Sequence, residues 1–299
     1  MKVAVTGSHG LIGRRLLGEL RSAGHEAIRV VRGDAAGEAA VRWDPDAGTI
    51  DVTRLAGVDA AVNLAGVGIF DHRWTPAHKA AVAESRVRAT SLLAGTLAAM
   101  RPRPAALLSA SAIGLYGDGD DELLSEASPS GAGFLADVCR RWEAATAPAE
   151  AAGIRVAHLR SGIVQSKDGG ALAKQLPLFR AGLGGRLGSG RQWLSWISLT
   201  DEVAAILHAL GDERVSGPVN LVAPGPVTNA ELTATLAAVL GRPARLAVPR
   251  LALEVALGRE MAREMLLASQ RVEPAVLGRT GFVWRHPRLD EALRAELGR

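Results

Sequence analysis

Apolar positions along the chain follow two alternating periods. Val3-Ala4-Val5 is an unbroken apolar run, and from Leu11 to Ala23 the spacing changes, with Leu11, Ile12, Leu16, Leu17 and Leu20 on one helical face. Ala27-Ile28-Arg29-Val30-Val31 predicts a second strand, and the runs at 60–64, 105–109 and 154–159 predict three more. Helical patterns fill the intervals from about Pro76 to Met100 and from Phe134 to Ala152. Strands that are apolar throughout, alternating with long helices, require a parallel sheet covered on both faces. Right-handed crossovers then give an α/β doubly wound parallel sheet.

After Ser161 the alternation loosens. Five glycines fall among the nine residues from Gly182 to Gly190, which predicts a mobile loop or lid. Trp193 to Ile197 reads as a strand, Asp201 to Leu210 as a helix begun near Asp201, and Val219 to Val222 as one more strand. From Pro224 onward, helical segments are punctuated by Pro243, Pro249, Pro274 and Pro287. The division expected is a main domain of residues 1–165 plus 196–222. A second, smaller, mostly helical cap domain takes 166–195 plus 223–299.

Composition narrows the classes. With 299 residues, 48% hydrophobic and 22% charged, the chain is neither disordered nor a small disulfide scaffold. The single cysteine, Cys139, excludes an intrachain disulfide and suits a reduced, cytoplasmic setting. No secretory h-region follows Met1, and apolar stretches such as Ala89 to Met100 fall short of the ~18 residues a membrane span needs. The pI of 9.8 does not indicate nucleic acid. Lysine stands only at 2, 79, 167 and 174, so arginine supplies the other 31 of 35 basic residues, spread along the whole chain. A net charge of +4 without a basic run or interleaved aromatics is no phosphate-backbone footprint.

The most specific chemical signal is Thr6-Gly7-Ser8-His9-Gly10-Leu11-Ile12-Gly13, set between a strand and a helix. In that context Gly7 permits a tight turn, Gly10 lets backbone approach a pyrophosphate, and Gly13 lets helix pack on strand. The helix N-terminus offers free N–H groups and partial positive charge to phosphates. The main domain is therefore expected to be a Rossmann dinucleotide site. The second strand ends Val30-Val31-Arg32, nineteen residues past Gly13, where arginine suits the 2′-phosphate of NADP rather than the 2′-hydroxyl of NAD. The nearest acid, Asp34, lies two residues further on.

These residues resemble the extended short-chain dehydrogenase/reductase superfamily, in particular an atypical branch of NAD(P)-dependent epimerase/dehydratase-like proteins. Asn63-Leu64-Ala65-Gly66 is similar to its loop along the adenosine side of the cofactor. Ser109-Ala110-Ser111-Ala112-Ile113-Gly114-Leu115-Tyr116-Gly117 is similar to its Ser-Ser-x-x-x-Tyr-Gly segment, with one residue inserted. Phe134 to Glu143, Gly188 to Trp193, Trp196-Ile197-Ser198 with Asp201, and the segment from about Val248 to Leu297 resemble this branch specifically. The resemblance implies NADP(H) bound by residues 7–13, Arg32, Asn63 to Gly66 and Ser109, under a cap closing over the nicotinamide end. It also implies that Ser111 hydrogen-bonds the substrate.

The chain departs from that pattern at the Tyr-x-x-x-Lys dyad, in which lysine lowers the tyrosine pKa for proton exchange. Aligning Glu143 with the glutamate that commonly follows puts Leu135 at the tyrosine and Cys139 at the lysine. Tyr116 is the only tyrosine, and position 120 is Asp120. Tyr116 either acts as an acid, needing a cationic partner the sequence does not name, or packs its loop. Arg191, Trp193 and Trp196 combine a charge with apolar faces that suit a small anionic or ring-bearing substrate, or the tryptophans anchor the cap. The seven histidines lack metal spacing. Asp118, Asp120, Asp121 and Glu122 read as a solvated turn, Cys139 as a buried small hydrophobe, and Glu143 as a helix-surface or capping contact. Two functions fit these residues: an NADP(H)-dependent oxidoreductase or epimerase-like enzyme for a small molecule, or a non-catalytic NADP(H)-binding or sensing protein.

Overall fold

The computed structural model describes residues 1–33 and 40–299. Its main sheet has eight strands: β1 (Lys2–Thr6), β2 (Glu26–Val31), β3 (Ala40–Asp44), β4 (Thr49–Ile50), β5 (Ala60–Asn63), β6 (Ala106–Ala112), β7 (Arg155–Ser161) and β8 (Gly217–Leu221). Their spatial order is β8-β7-β6-β5-β1-β2-β3-β4, and every pairing is parallel except β3 with β4. The doubly wound parallel sheet expected from the apolar runs is present. From β1 the chain winds outward to β3, then returns to β5 and winds the other way. The crevice at the carboxyl ends of β1 and β5 is thus the topological switch point where such sheets take ligands.

Helices α1 (Leu11–Ser22) and α6 (Leu199–Gly211) cover one face, burying Leu16, Leu20, Val203 and Ile206 against Val3, Val5, Val62 and Leu108. Helix α2 (Pro76–Ala99) covers the other, burying Leu93 and Leu97 against Ala4, Ile28 and Leu107. The helix expected over 134–152 is two, α3 (Phe134–Ala144) and α4 (Ala147–Ala151). Pro148 falls in the first turn of α4, where its missing N–H costs least, and that position favours a fresh start over continuation. Strands β3 and β4 had no apolar run to betray them. β3 alternates buried and exposed residues, with Arg42 and Asp44 outward, as a strand with one solvated face does, and the two-residue β4 forms the sheet edge beside it.

The cap differs from expectation in two places. The glycine-rich segment is no free loop, because Gly185–Leu187 pairs in parallel with Leu246–Val248. The strand expected at 193–197 is divided at Ser195: Trp193–Leu194 pairs with Val227–Thr228, and Trp196–Ser198 with Ile163–Gln165. Helices α5 (Gly170–Arg180) and α7 (Asn229–Leu240) bury Leu172, Leu176, Leu232 and Leu236 in the cap's own core, together with Leu289 and Leu293. Val276, Leu277 and Phe282 belong instead to the core beneath the main sheet, so the C-terminal segments pack on both units.

Candidate functional site

The crevice is shaped by collisions that glycine avoids. Gly7 has φ +63°, and a Cβ there would run into the Leu64 carbonyl; a Cβ at Gly13 would run into the Gly7 carbonyl. Behind the loop, Thr6 Oγ1 donates to Asn63 Oδ1 at 2.7 Å and accepts from the Leu64 amide at 3.0 Å. Asn63 Nδ2 donates to Thr90 Oγ1 (2.8 Å) and Ser109 Oγ (3.3 Å). Asn63 and Ser109, expected at the cofactor, are buried braces that lock β1, β5 and β6 together, so their side chains do not line the crevice. Leu11, Ile12 and Leu64 likewise pack on the core.

The crevice itself encloses about 250 Å³ between Gly7, Ser8, His9, Gly10, Val31, Arg32, Ala65, Gly66 and Trp43, the last of which sequence reasoning missed. Ser8 Oγ is buried without a hydrogen-bond partner, and the α1 N-terminus has no side-chain cap. A buried unsatisfied hydroxyl and free helix amides together match a phosphate's oxygens. The residues therefore fit a dinucleotide. Arg32 lies half-exposed on the rim, its Nη1 4.0 Å from Asp46, whose carboxylate also meets Arg88 at 3.3 Å. Asp34 lies outside the described residues.

A second cavity, of about 320 Å³, opens between the ends of β6 and β7, helix α3 and the cap. Leu135 and Cys139 line it, with Arg86, Ile113, Gly114, Trp142, Ser161, Leu194 and Met265. Burial, then the Glu143 charge, pushes the Cys139 thiol up to about 11, so it stays neutral and supplies no lysine-like charge. An outer cleft of about 570 Å³ shares Phe70 and Ala171 with this cavity and adds His72, Lys174, Phe179 and Met261.

Ser111 is buried and does not itself line the inner cavity, which its neighbour Ala112 does; its Oγ donates to Glu143 Oε1 at 2.7 Å. Glu143 is no surface contact. Its two oxygens take a bidentate pair from Arg160, each at 2.9 Å, within the fold. Burial works to raise the Glu143 pKa, but the Arg160 and Ser111 hydrogen bonds and the Arg160 charge hold it below the usual carboxylate range. Arg160 Nη1 also donates to Tyr116 Oη at 3.0 Å, and Tyr116 donates to Asn220 Oδ1 at 2.7 Å. The phenol thus has its cationic partner, yet it is buried, spends its proton on Asn220 and lines neither cavity. Burial raises its pKa more than Arg160 lowers it, which suits the packing role, one of the two the sequence left open for Tyr116.

The expected substrate residues are placed elsewhere. Trp196, 1% exposed, sits in the cap core with Nε1 donating to Gly225 O at 2.9 Å. Trp193 donates to Asp121 at 2.8 Å and stacks under Arg271, 4.6 Å from the ring centroid. Arg191 is exposed, and none of the three lines the inner cavity or the outer cleft. The acidic turn is also engaged, since Asp118 accepts the Ser269 amide at 2.9 Å. Glu202, unnoticed in the sequence, is buried under the cavity: Ser161 Oγ donates to its Oε1 at 2.6 Å, and Oε2 has no partner.

Residues 3–221 match the model of the NAD dependent epimerase/dehydratase family, and residues 248–296 match a domain of unknown function. The chain is 45% identical over 291 residues to the epimerase family protein Mb2239 of Mycobacterium bovis, covering 97% of this chain and 96% of that one. The crystal structure of human epimerase family protein SDR39U1 (isoform 2) with NADPH superposes with a TM-score of 0.90 at 34% identity, covering 100% of this chain and 99% of the other. A nucleoside-diphosphate sugar epimerase from Corynebacterium glutamicum superposes with a TM-score of 0.81 at 40% identity, over 100% of this chain and 58% of that one. No helix among the described residues is long and apolar enough to cross a membrane.

Proposed function

The chain belongs to the NAD dependent epimerase/dehydratase family, and from that premise we propose that it is an NADP(H)-dependent oxidoreductase or epimerase-like enzyme for a small molecule. The observation that carries this reading is the phosphate-ready crevice adjoining a largely apolar cavity: Arg86 lines the cavity and donates to the carbonyl of Val67, which lines the crevice. The NADPH in the human SDR39U1 structure supports the same choice of cofactor. Gly7 to Gly10 and Ser8 Oγ would hold the diphosphate, and Arg32 the 2′-phosphate. Bound there, the nicotinamide supplies reversible two-electron chemistry. Ser111, fixed by Glu143 and Arg160, would orient a substrate oxygen. Leu135 has no proton to give and the Cys139 thiol holds its own, so proton exchange falls to Ser111 or water.

Parallel calorimetric titrations with NADPH and NADH test the cofactor. NADPH should bind at least about tenfold tighter, and Arg32→Ala should erase most of that margin. An unchanged ratio in Arg32→Ala would remove the arginine from the assignment. The apolar Leu135 and neutral Cys139 favour a second reading, a non-catalytic NADP(H)-binding protein. Isotope transfer from labelled NADPH to a broad panel of carbonyl compounds separates the two, and persistent silence decides for the binding protein.

A further inference from the structure

Among the described residues, the inner cavity holds one cation with no anion to answer it. Arg86 projects from α2 with Nη1 donating to the carbonyls of Val67 (2.9 Å) and Val82 (3.0 Å), and its guanidinium lies 5.0 Å from the Trp142 ring centroid. Among the described residues, Nε and Nη2 make no hydrogen bond, and no carboxylate comes within ion-pair distance of Arg86. Neither nitrogen is sealed from solvent without a partner, so both face open space, and the open space beside this side chain is the cavity.

The other groups on the wall do not supply the charge. Glu264 reaches the cavity, but its two oxygens accept the Phe134 amide (3.0 Å) and the Leu135 amide (2.8 Å) and so cap α3. Cys139 is a neutral thiol. Arg160 differs, since there the fold supplies a bidentate carboxylate. A guanidinium stays protonated even where burial draws its pKa down, and a half-buried one without a counter-ion is costly.

We propose that Arg86 is the anion anchor of the inner cavity, and that the molecule admitted there carries a carboxylate or phosphate on a small apolar body. The planar guanidinium offers two free N–H donors to such a group, while Ile113, Leu135, Leu194 and Met265 take the apolar part. This deepens the reading of the cavity as the substrate side of a dinucleotide site, and rests on it. The same charge could come from a phosphate of the cofactor itself, because Arg86 also touches the crevice through Val67 and Gly66.

Fluorine NMR titration with 4-fluorobenzoate and its neutral counterpart 4-fluorobenzamide, run with and without NADPH, tests the anchor. The benzoate should bind wild-type protein about tenfold tighter than the benzamide. Arg86→Met should bring the two within about twofold, whereas Arg86→Lys should keep most of the preference, and NADPH affinity should stay within about threefold in both. Equal binding of the two probes, or no benzoate binding, in the wild-type protein overturns the proposal. So does a preference that survives in Arg86→Met. A loss of NADPH affinity in Arg86→Met beside an unchanged probe ratio assigns Arg86 to the cofactor and overturns it too. If Arg86→Met does not fold, the wild-type ratio and the lysine variant still decide. Wild-type protein that prefers the benzoate but ignores NADPH keeps the anchor and loses the dinucleotide reading; the reverse loses the anchor alone.

Discussion

At the scale of single residues, the site is governed by where burial leaves charge. Arg160 and Glu143 are 17 positions apart and settle each other; neither was legible as a partner in the sequence, because their meeting depends on the register that pairs Ser111 with Arg160 across β6 and β7. A charged residue at the end of the apolar strand 154–159 was the available signal, since arginine is almost never buried unpaired. Glu202 left no such signal, as acids are common in first turns of helices. Its burial, relieved only by the Ser161 hydrogen bond, pushes its pKa up to about 8 from an ordinary value of 4.5. Between those two values the unfolded chain is ionised at Glu202 while the folded protein keeps the proton, so the group's penalty grows as pH rises through that window and levels off above it. Glu202→Gln has no proton to lose. Its stability relative to wild type should therefore climb by up to roughly 1.4 kcal/mol per pH unit across the window, whatever its offset at acid pH. Urea midpoints measured from acid to mildly alkaline pH check this, and parallel curves for the two proteins would refute it.

At the scale of elements, contiguous motifs were readable and long-range pairings were not. The strand, glycine loop and helix from Lys2 to Ser22 form as the spacing predicted, because every contact that shapes the turn lies within a few residues or at the neighbouring Leu64. The glycine-rich strand Gly185–Leu187 looked like a loop because its partner, Leu246–Val248, is remote in sequence. Two glycines of the same helix α1 separate packing from propensity. Gly13 is buried against the Gly7 carbonyl, whereas Gly18 is exposed and has nothing within 4 Å of an added Cβ. Gly13→Ala must push helix from loop, and should weaken NADPH binding by about tenfold or more while lowering the melting temperature. Gly18→Ala should raise stability by ~0.5–1 kcal/mol and leave cofactor affinity alone, because it only removes glycine's excess freedom from a helix interior. Thermal melts with NADPH titrations of both variants distinguish these effects. Equal behaviour of the two would mean that the loop tolerates displacement and that its shape is not what admits the phosphate.

At the scale of the whole molecule, composition and alternation were enough to anticipate a doubly wound sheet with a smaller helical unit, but not how tightly the C-terminal segments are tied into the sheet. The second family match begins at residue 248, and the segments of that region reach far outside the cap. Asp201, fully buried, has its two oxygens satisfied by the backbone amides of Arg285 (2.8 Å) and His286 (2.9 Å). Glu126 Oε1 accepts from Val276 (3.0 Å) as well as from Asn220 (3.1 Å), and Asn220 Nδ2 donates to Glu273 O at 2.9 Å. Val276, Leu277 and Phe282 fill the core under α6. Removing residues 248–299 would strip that core and leave a buried carboxylate without donors, a combination that costs more than a domain of ordinary stability holds in reserve. The full chain should therefore unfold in one transition, with calorimetric and van't Hoff enthalpies in agreement. The truncated chain should keep helical far-ultraviolet dichroism, lose its near-ultraviolet signal and bind a hydrophobic dye, as expected when specific packing goes but collapse remains. A sharp, reversible melt in the truncated chain would show instead that residues 1–247 stand alone, and that the C-terminal segments are attached to the sheet without being needed by it.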